Sequence, residues 1–166
     1  MEEYAQLISD LKSEDDEKKR KAAAKIGETG DERLIPILIE TIEKTDNHWV
    51  RNAIANALRE LDAEESIPVL IKLIKKVGEK HSGSLIYALQ VMDCRPVVNE
   101  IAEFLCSENF EQRELSLQII EDMEGCLESD KKEEAIEKIR RYRETGATPE
   151  TKKYLDHALK ILKEDL

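Results

Sequence analysis

The chain has 166 residues, 40% of them hydrophobic and 4% aromatic, and its 26 Lys and Arg against 37 Asp and Glu leave a formal charge of −11. That content is too apolar for a disordered segment and too charged and interrupted for a membrane span. The acidity also argues against nucleic acid, whose binders need clustered cations to displace counterions.

The opening MEEYAQLISDLK has no basic region followed by an apolar one, so no secretory signal is read and a cytoplasmic location is expected. Tyr4, Leu7, Ile8 and Leu11 recur at i, i+3, i+4 and i+7, the stripe of an amphipathic helix. Ser13, Glu14, Asp15 and Asp16 then supply a polar cap and first-turn acids for a second helix. That helix carries Arg20, Ala22, Ile26 and Gly27, and Gly30 is placed to end it in a left-handed turn. Ile35, Leu38, Ile39 and Ile42 form the next stripe. Val50, Ala53, Ile54, Ala57, Leu58 and Leu61 form the one after it.

From this point the sequence echoes itself. Arg20, Arg51, Ser82 and Arg113 stand 31 residues apart, each opening the same apolar pattern, and Lys152 restarts it after a longer step of 39 residues. Asp62 to Glu65 mark the next helix start; Val69, Leu70, Leu73, Ile74 and Val77 then match Val97, Val98, Ile101, Ala102 and Leu105 position for position. Between these stripes lie Gly78, Ser82 and Gly83, which make the third repeat the expected weak link or bend. Gly125, the thinner stripe Ala135, Ile136 and Ile139, Gly146, and Thr148-Pro149-Glu150 before Tyr154, Leu155, Ala158 and Leu159 complete the series.

Repetition at this period means stacked helix pairs sharing one elongated core. The expectation is an all-α, right-handed α-solenoid of about five helix pairs in a single domain spanning 1–166. Its repeats run approximately over 1–28, 29–61, 62–93, 94–125 and 126–166.

The run Gly30-Asp31-Glu32-Arg33-Leu34-Ile35-Pro36 and the run Val50-Arg51-Asn52-Ala53-Ile54-Ala55-Asn56-Ala57-Leu58 resemble the HEAT-repeat family, in particular the short units named after phycobilisome lyases. The resemblance implies that first (A) helices form the convex side, with Pro36, Pro68 and Pro96 at their kinks, and second (B) helices the concave side. It implies that Arg20, Arg51 and Arg113, with Asp15, Asp46 and Glu108 five residues earlier, form a structural ladder. It carries no catalytic residue, because the family is defined by fold.

Outward positions of the B helices read Lys18, Lys21, Lys25, then Trp49, Asn52, Asn56, then Lys80, Gly83, Tyr87, then Glu111, Glu114, Gln118, then Glu150, Lys153, His157. A surface grading from basic through aromatic to acidic sets the register of an elongated partner, with Trp49 and Tyr87 as anchors. The opposing reading is an ordinary solvated helix face, with Trp49 a partly buried packing residue. His48, His81 and His157 lie in different repeats without ligand spacing; Cys94, Cys106 and Cys126 are odd in number, lack C-x-x-C spacing and are expected to be reduced thiols. No catalytic residue, metal or cofactor is expected.

The sequence therefore points to a monomeric, non-enzymatic scaffold holding a protein or peptide through Lys18, Lys21, Lys25, Trp49, Asn52, Asn56, Tyr87, Glu111 and Glu114. Its alternatives are an inhibitor of a basic toxin or nuclease, a HEAT-like alkylpurine DNA glycosylase, and a bilin-lyase accessory protein.

Overall fold

Each helix pair has one apolar stripe and no partner of its own large enough to cover it, so the pairs stack. The structure, a computed structural model, describes residues 2–123 and 125–164, and among these there are ten α-helices and no strand. The A helices are α1 (Glu2–Lys12), α3 (Ile35–Lys44), α5 (Ile67–Val77), α7 (Val98–Leu105) and α9 (Ser129–Thr145). The B helices are α2 (Asp16–Thr29), α4 (His48–Glu60), α6 (Gly83–Leu89), α8 (Phe110–Glu121) and α10 (Pro149–Glu164). The B helices pack in sequence along one row, α2 on α4, α4 on α6, α6 on α8 and α8 on α10. The A row is closest between α7 and α9 and looser on both sides of α5, which Lys72 and Glu43 join to α3 at 3.9 Å and Lys75 and Glu103 join to α7 at 3.3 Å.

The core is a continuous stripe between the rows. In α4 it takes Val50, Ile54, Ala57 and Leu58, the inward positions read from the sequence, while Ala53 is only half-buried and Ala55 is fully buried. Leu58 has counterparts in Leu89 and Ile120, both also buried. In the first repeat the same position is Gly27. A Cβ added there would sit 3.3 Å from the Ala57 Cα, so the missing side chain lets α2 and α4 approach closely.

Helix starts follow the cap chemistry. Asp15 accepts from the backbone of Glu17 and Lys18, and Asn47 from Trp49 and Val50; Asn109 accepts from Gln112. Gly30 ends α2 at φ 67°. Gly146, expected to do the same for α9, has φ −132° and is not left-handed, because its amide simply continues the helical bond to the Tyr142 carbonyl. The A helices carry no proline kink: a short 3-10 turn precedes α3, α5 and α7. Pro36 and Pro68 fall in the first turn of α3 and α5, where no amide is needed, and Pro96 lies in the turn itself.

The third repeat departs as the glycines imply. The place that Asn47 and Asn109 hold as caps is taken by Gly78, which has no side chain to offer. The chain forms a 3-10 turn at Glu79–His81, and α6 begins late and runs only 7 residues.

Two substitutions test the packing. Leu58→Ala is expected to destabilise by about 2–5 kcal/mol, since it empties a fully enclosed site in a stripe that neighbours share; chemical denaturation measures it. Gly27→Leu, which restores the residue of the other repeats, is expected to cost about 1–3 kcal/mol by forcing α2 from α4, where a swap at an ordinary repeat position would not.

Candidate interaction face on the second helices

Three of the four junctions in the B row, all but α4 to α6, are joined by polar contacts near the helix starts. Asn47 donates to Asp16 at 2.8 Å, the Ser82 hydroxyl to Gln112 at 2.8 Å, and the Ser107 hydroxyl to Glu79 at 2.7 Å. At the last junction the Arg113 guanidinium donates to the Ser107 carbonyl at 3.2 Å and to the Thr151 hydroxyl at 2.9 Å. Its other end lies 3.6 Å from the Glu150 carboxylate, and the Tyr154 ring covers it at 4.5 Å.

A second rail joins the C-terminal halves of the B helices. The Arg59 guanidinium lies 3.9 Å from the centre of the Tyr87 ring and donates to the Tyr87 carbonyl. Gln90 donates to Gln118 at 2.6 Å, and His157 meets Glu121 at 2.8 Å. Arg59, Gln90 and Glu121 are themselves 31 residues apart. That spacing was a readable signal, and the apolar pattern drew attention away from it.

The arginine ladder does not form as the family resemblance implied. Asp15 is spent as a helix cap, and Arg20 is exposed. Glu108 turns away from Arg113 toward the fifth repeat. It accepts from the Thr148 amide at 3.2 Å, the Thr148 hydroxyl at 2.8 Å, the Thr151 hydroxyl at 2.9 Å and the Tyr142 hydroxyl at 3.3 Å. Desolvation pushes this carboxyl upward, but the hydrogen bonds from Thr148, Thr151 and Tyr142 outweigh it and hold the acid below its ordinary value. Arg51 is 8% exposed with its Nε fully enclosed and without an acceptor. Burial lowers its proton affinity, and Asp46 offsets this only at longer range.

The expected contact residues divide into two groups. Lys21 is paired with Glu17 and Lys25 with Glu28. Glu114 accepts from Gln118, and the Glu111 carboxylate lies over Gly83, 2.6 Å from where a Cβ would be. Tyr87 is 43% exposed but stacked under Arg59. Among the described residues, the side chains of Lys18, Asn52 and Asn56 make no hydrogen bond or ion pair. Trp49 is 59% exposed, with the His48 ring 4.7 Å from its own, so it is not the partly buried packing residue of the opposing reading. The structure thus gathers the unengaged residues on α2 and α4, and leaves the acidic end of the gradient separate from them. Phe110, 60% exposed at the start of α8, was not singled out in the sequence.

Among the described residues no group of three or more His, Cys, Asp or Glu side chains is placed to hold a metal ion, and no helix is long and apolar enough to cross a membrane. Burial pushes the Cys94 and Cys106 thiols up to about 12, which disfavours the thiolate a nucleophile needs.

Five helix pairs in two rows, with polar ties between successive B helices, define an α-solenoid. A family model described as HEAT repeats matches residues 4–90, and the chain belongs to the HEAT-repeat family. No curated protein matches it. HEAT repeats are in general protein-interaction scaffolds.

Glu108 sets a pH dependence. Its folded-state proton affinity is depressed, so its contribution to stability is present above the ordinary carboxyl value and is lost as pH falls through the lowered one. The melting temperature of Glu108→Gln is therefore expected to lie below that of the parent at neutral pH, and the gap to close below about pH 4.

Proposed function

We propose that this chain is a non-enzymatic binding module, one repeat domain over 1–166, that holds a protein segment on its concave B-helix face. Contact centres on Lys18, Trp49, Asn52 and Asn56, with Lys21 and Lys25 beside them and Tyr87 next along the row. Glu111 and Glu114 mark the far end. The observation that carries this reading is Trp49: a tryptophan 59% exposed, beside amides that have no partner among the described residues, on the B-helix row, the longest continuous surface a solenoid offers. Exposed aromatic anchors of this kind gain most of their energy only when a partner covers them. A duplex-DNA reading loses support from the same geometry, since Glu17 and Glu28 neutralise two of the three lysines of the basic stripe.

Affinity capture with mass spectrometry identifies the partner. With it in hand, Trp49→Ala is expected to raise the dissociation constant by at least about tenfold, mainly through faster dissociation, while Glu43→Ala on the A side leaves it unchanged. Equal affinities for both variants place the partner elsewhere.

A further inference from the structure

Arg51 and Arg113 hold the same register position two repeats apart, and each has an enclosed Nε without an acceptor. They differ at the terminal nitrogens. Those of Arg113 meet the Ser107 carbonyl, the Thr151 hydroxyl and the Glu150 carboxylate of the next repeat. Those of Arg51 meet no hydrogen-bond or ion-pair partner among the described residues. The repeat shows why: the register positions of Glu150 and Thr151 are occupied, ahead of α6, by Lys80 and His81. In register, a cation and an imidazole replace the carboxylate and the hydroxyl that Arg113 finds. The Arg51 Nε is enclosed without an acceptor, whereas its terminal nitrogens are not among the enclosed atoms, so the fork is open to a group this chain does not supply.

We infer that Arg51 is a socket for a carboxylate side chain of a partner protein, which takes the place that Glu150 takes beside Arg113. The inference rests on the reading that a protein segment occupies the B-helix face, and adds the chemistry of that segment. The planar fork of a guanidinium suits a carboxylate in two-point contact. Exposed Trp49, two residues earlier on α4, offers an apolar surface to a neighbouring side chain of the same segment. Lys18 on α2 and Lys80 ahead of α6 add unpaired positive charge on either side. A polyanion is disfavoured, because the socket holds a single guanidinium fork in a chain of net charge −11.

The test uses the full chain labelled with nitrogen-15 and three probes: a capped Glu-Glu-Phe-Glu-Glu peptide, its neutral isostere Gln-Gln-Phe-Gln-Gln, and inorganic phosphate. The acidic peptide is expected to shift the Arg51 Nε–Hε resonance and to change the fluorescence of Trp49, the chain's single tryptophan. Its isostere and phosphate at equal concentration are expected to do neither. Arg51→Met is expected to bind the acidic peptide at least about tenfold more weakly while melting no lower than the parent, since no structural partner is lost, whereas Arg113→Met melts lower. Undiminished binding to Arg51→Met, or a melting loss as large as that of Arg113→Met, overturns the socket. A response to phosphate equal to that of the peptide overturns the protein carboxylate in favour of a free anion. If Trp49→Ala weakens binding and Arg51→Met does not, the face stands and the socket falls; the reverse result keeps the socket and removes the aromatic centre.

Discussion

No helix pair in this chain can bury its apolar stripe alone, and that shortage organises the whole molecule. Val50, Ile54 and Leu58 of α4 are enclosed because α2 and α6 lie on either side, and each of those is enclosed only by its own neighbours. The core is therefore shared in one dimension, so its strength is set junction by junction rather than at a centre. Where Gly27 replaces the usual large residue, the junction tightens; where Gly78 removes a cap, α6 shortens.

Hydrophobic packing alone leaves the B helices free to slide along one another, since apolar contact has little directionality. The two polar rails supply the missing register. At the helix starts, Asp16 with Asn47, Ser82 with Gln112, and Arg113 with Thr151 fix one end; toward the helix ends, Arg59 on Tyr87, Gln90 with Gln118, and Glu121 with His157 fix the other. The chemistry differs at every rung, but the position repeats. This explains why a sequence whose identities vary so much from repeat to repeat still stacks in a regular row. It also explains why several outward residues are engaged with each other before any partner arrives.

Much of this was legible in the residues. The 31-residue step of Arg20, Arg51 and Arg113 and the matching stripes gave the helix pairs and their order, because hydrophobic period reports directly on which face is buried. The place of Trp49 on the flank of α4 was legible as well, but its exposure was not, since the same pattern fits a partly buried packing residue. What the pattern did not reveal depends on three-dimensional competition for partners. Asp15 reads equally well as a ladder acid or a cap, and only folding shows that the cap wins. Lys21 and Lys25 look like an open basic stripe until Glu17 and Glu28, four and three residues away, are seen to reach them. The isolation of Arg51 was hidden for the same reason: it is defined by what the neighbouring repeat fails to place beside it.

The looseness of the A row on both sides of α5 has a mechanical consequence. The B row is continuous across the same stretch, so a change of curvature there turns the molecule about the contacts of α6 with its neighbours instead of spreading evenly along it. A uniform solenoid behaves as a spring, in which every repeat yields a little. This one is closer to a caliper that yields at its middle repeat, so the distance between the tryptophan end and the acidic end of its inner face is set chiefly there.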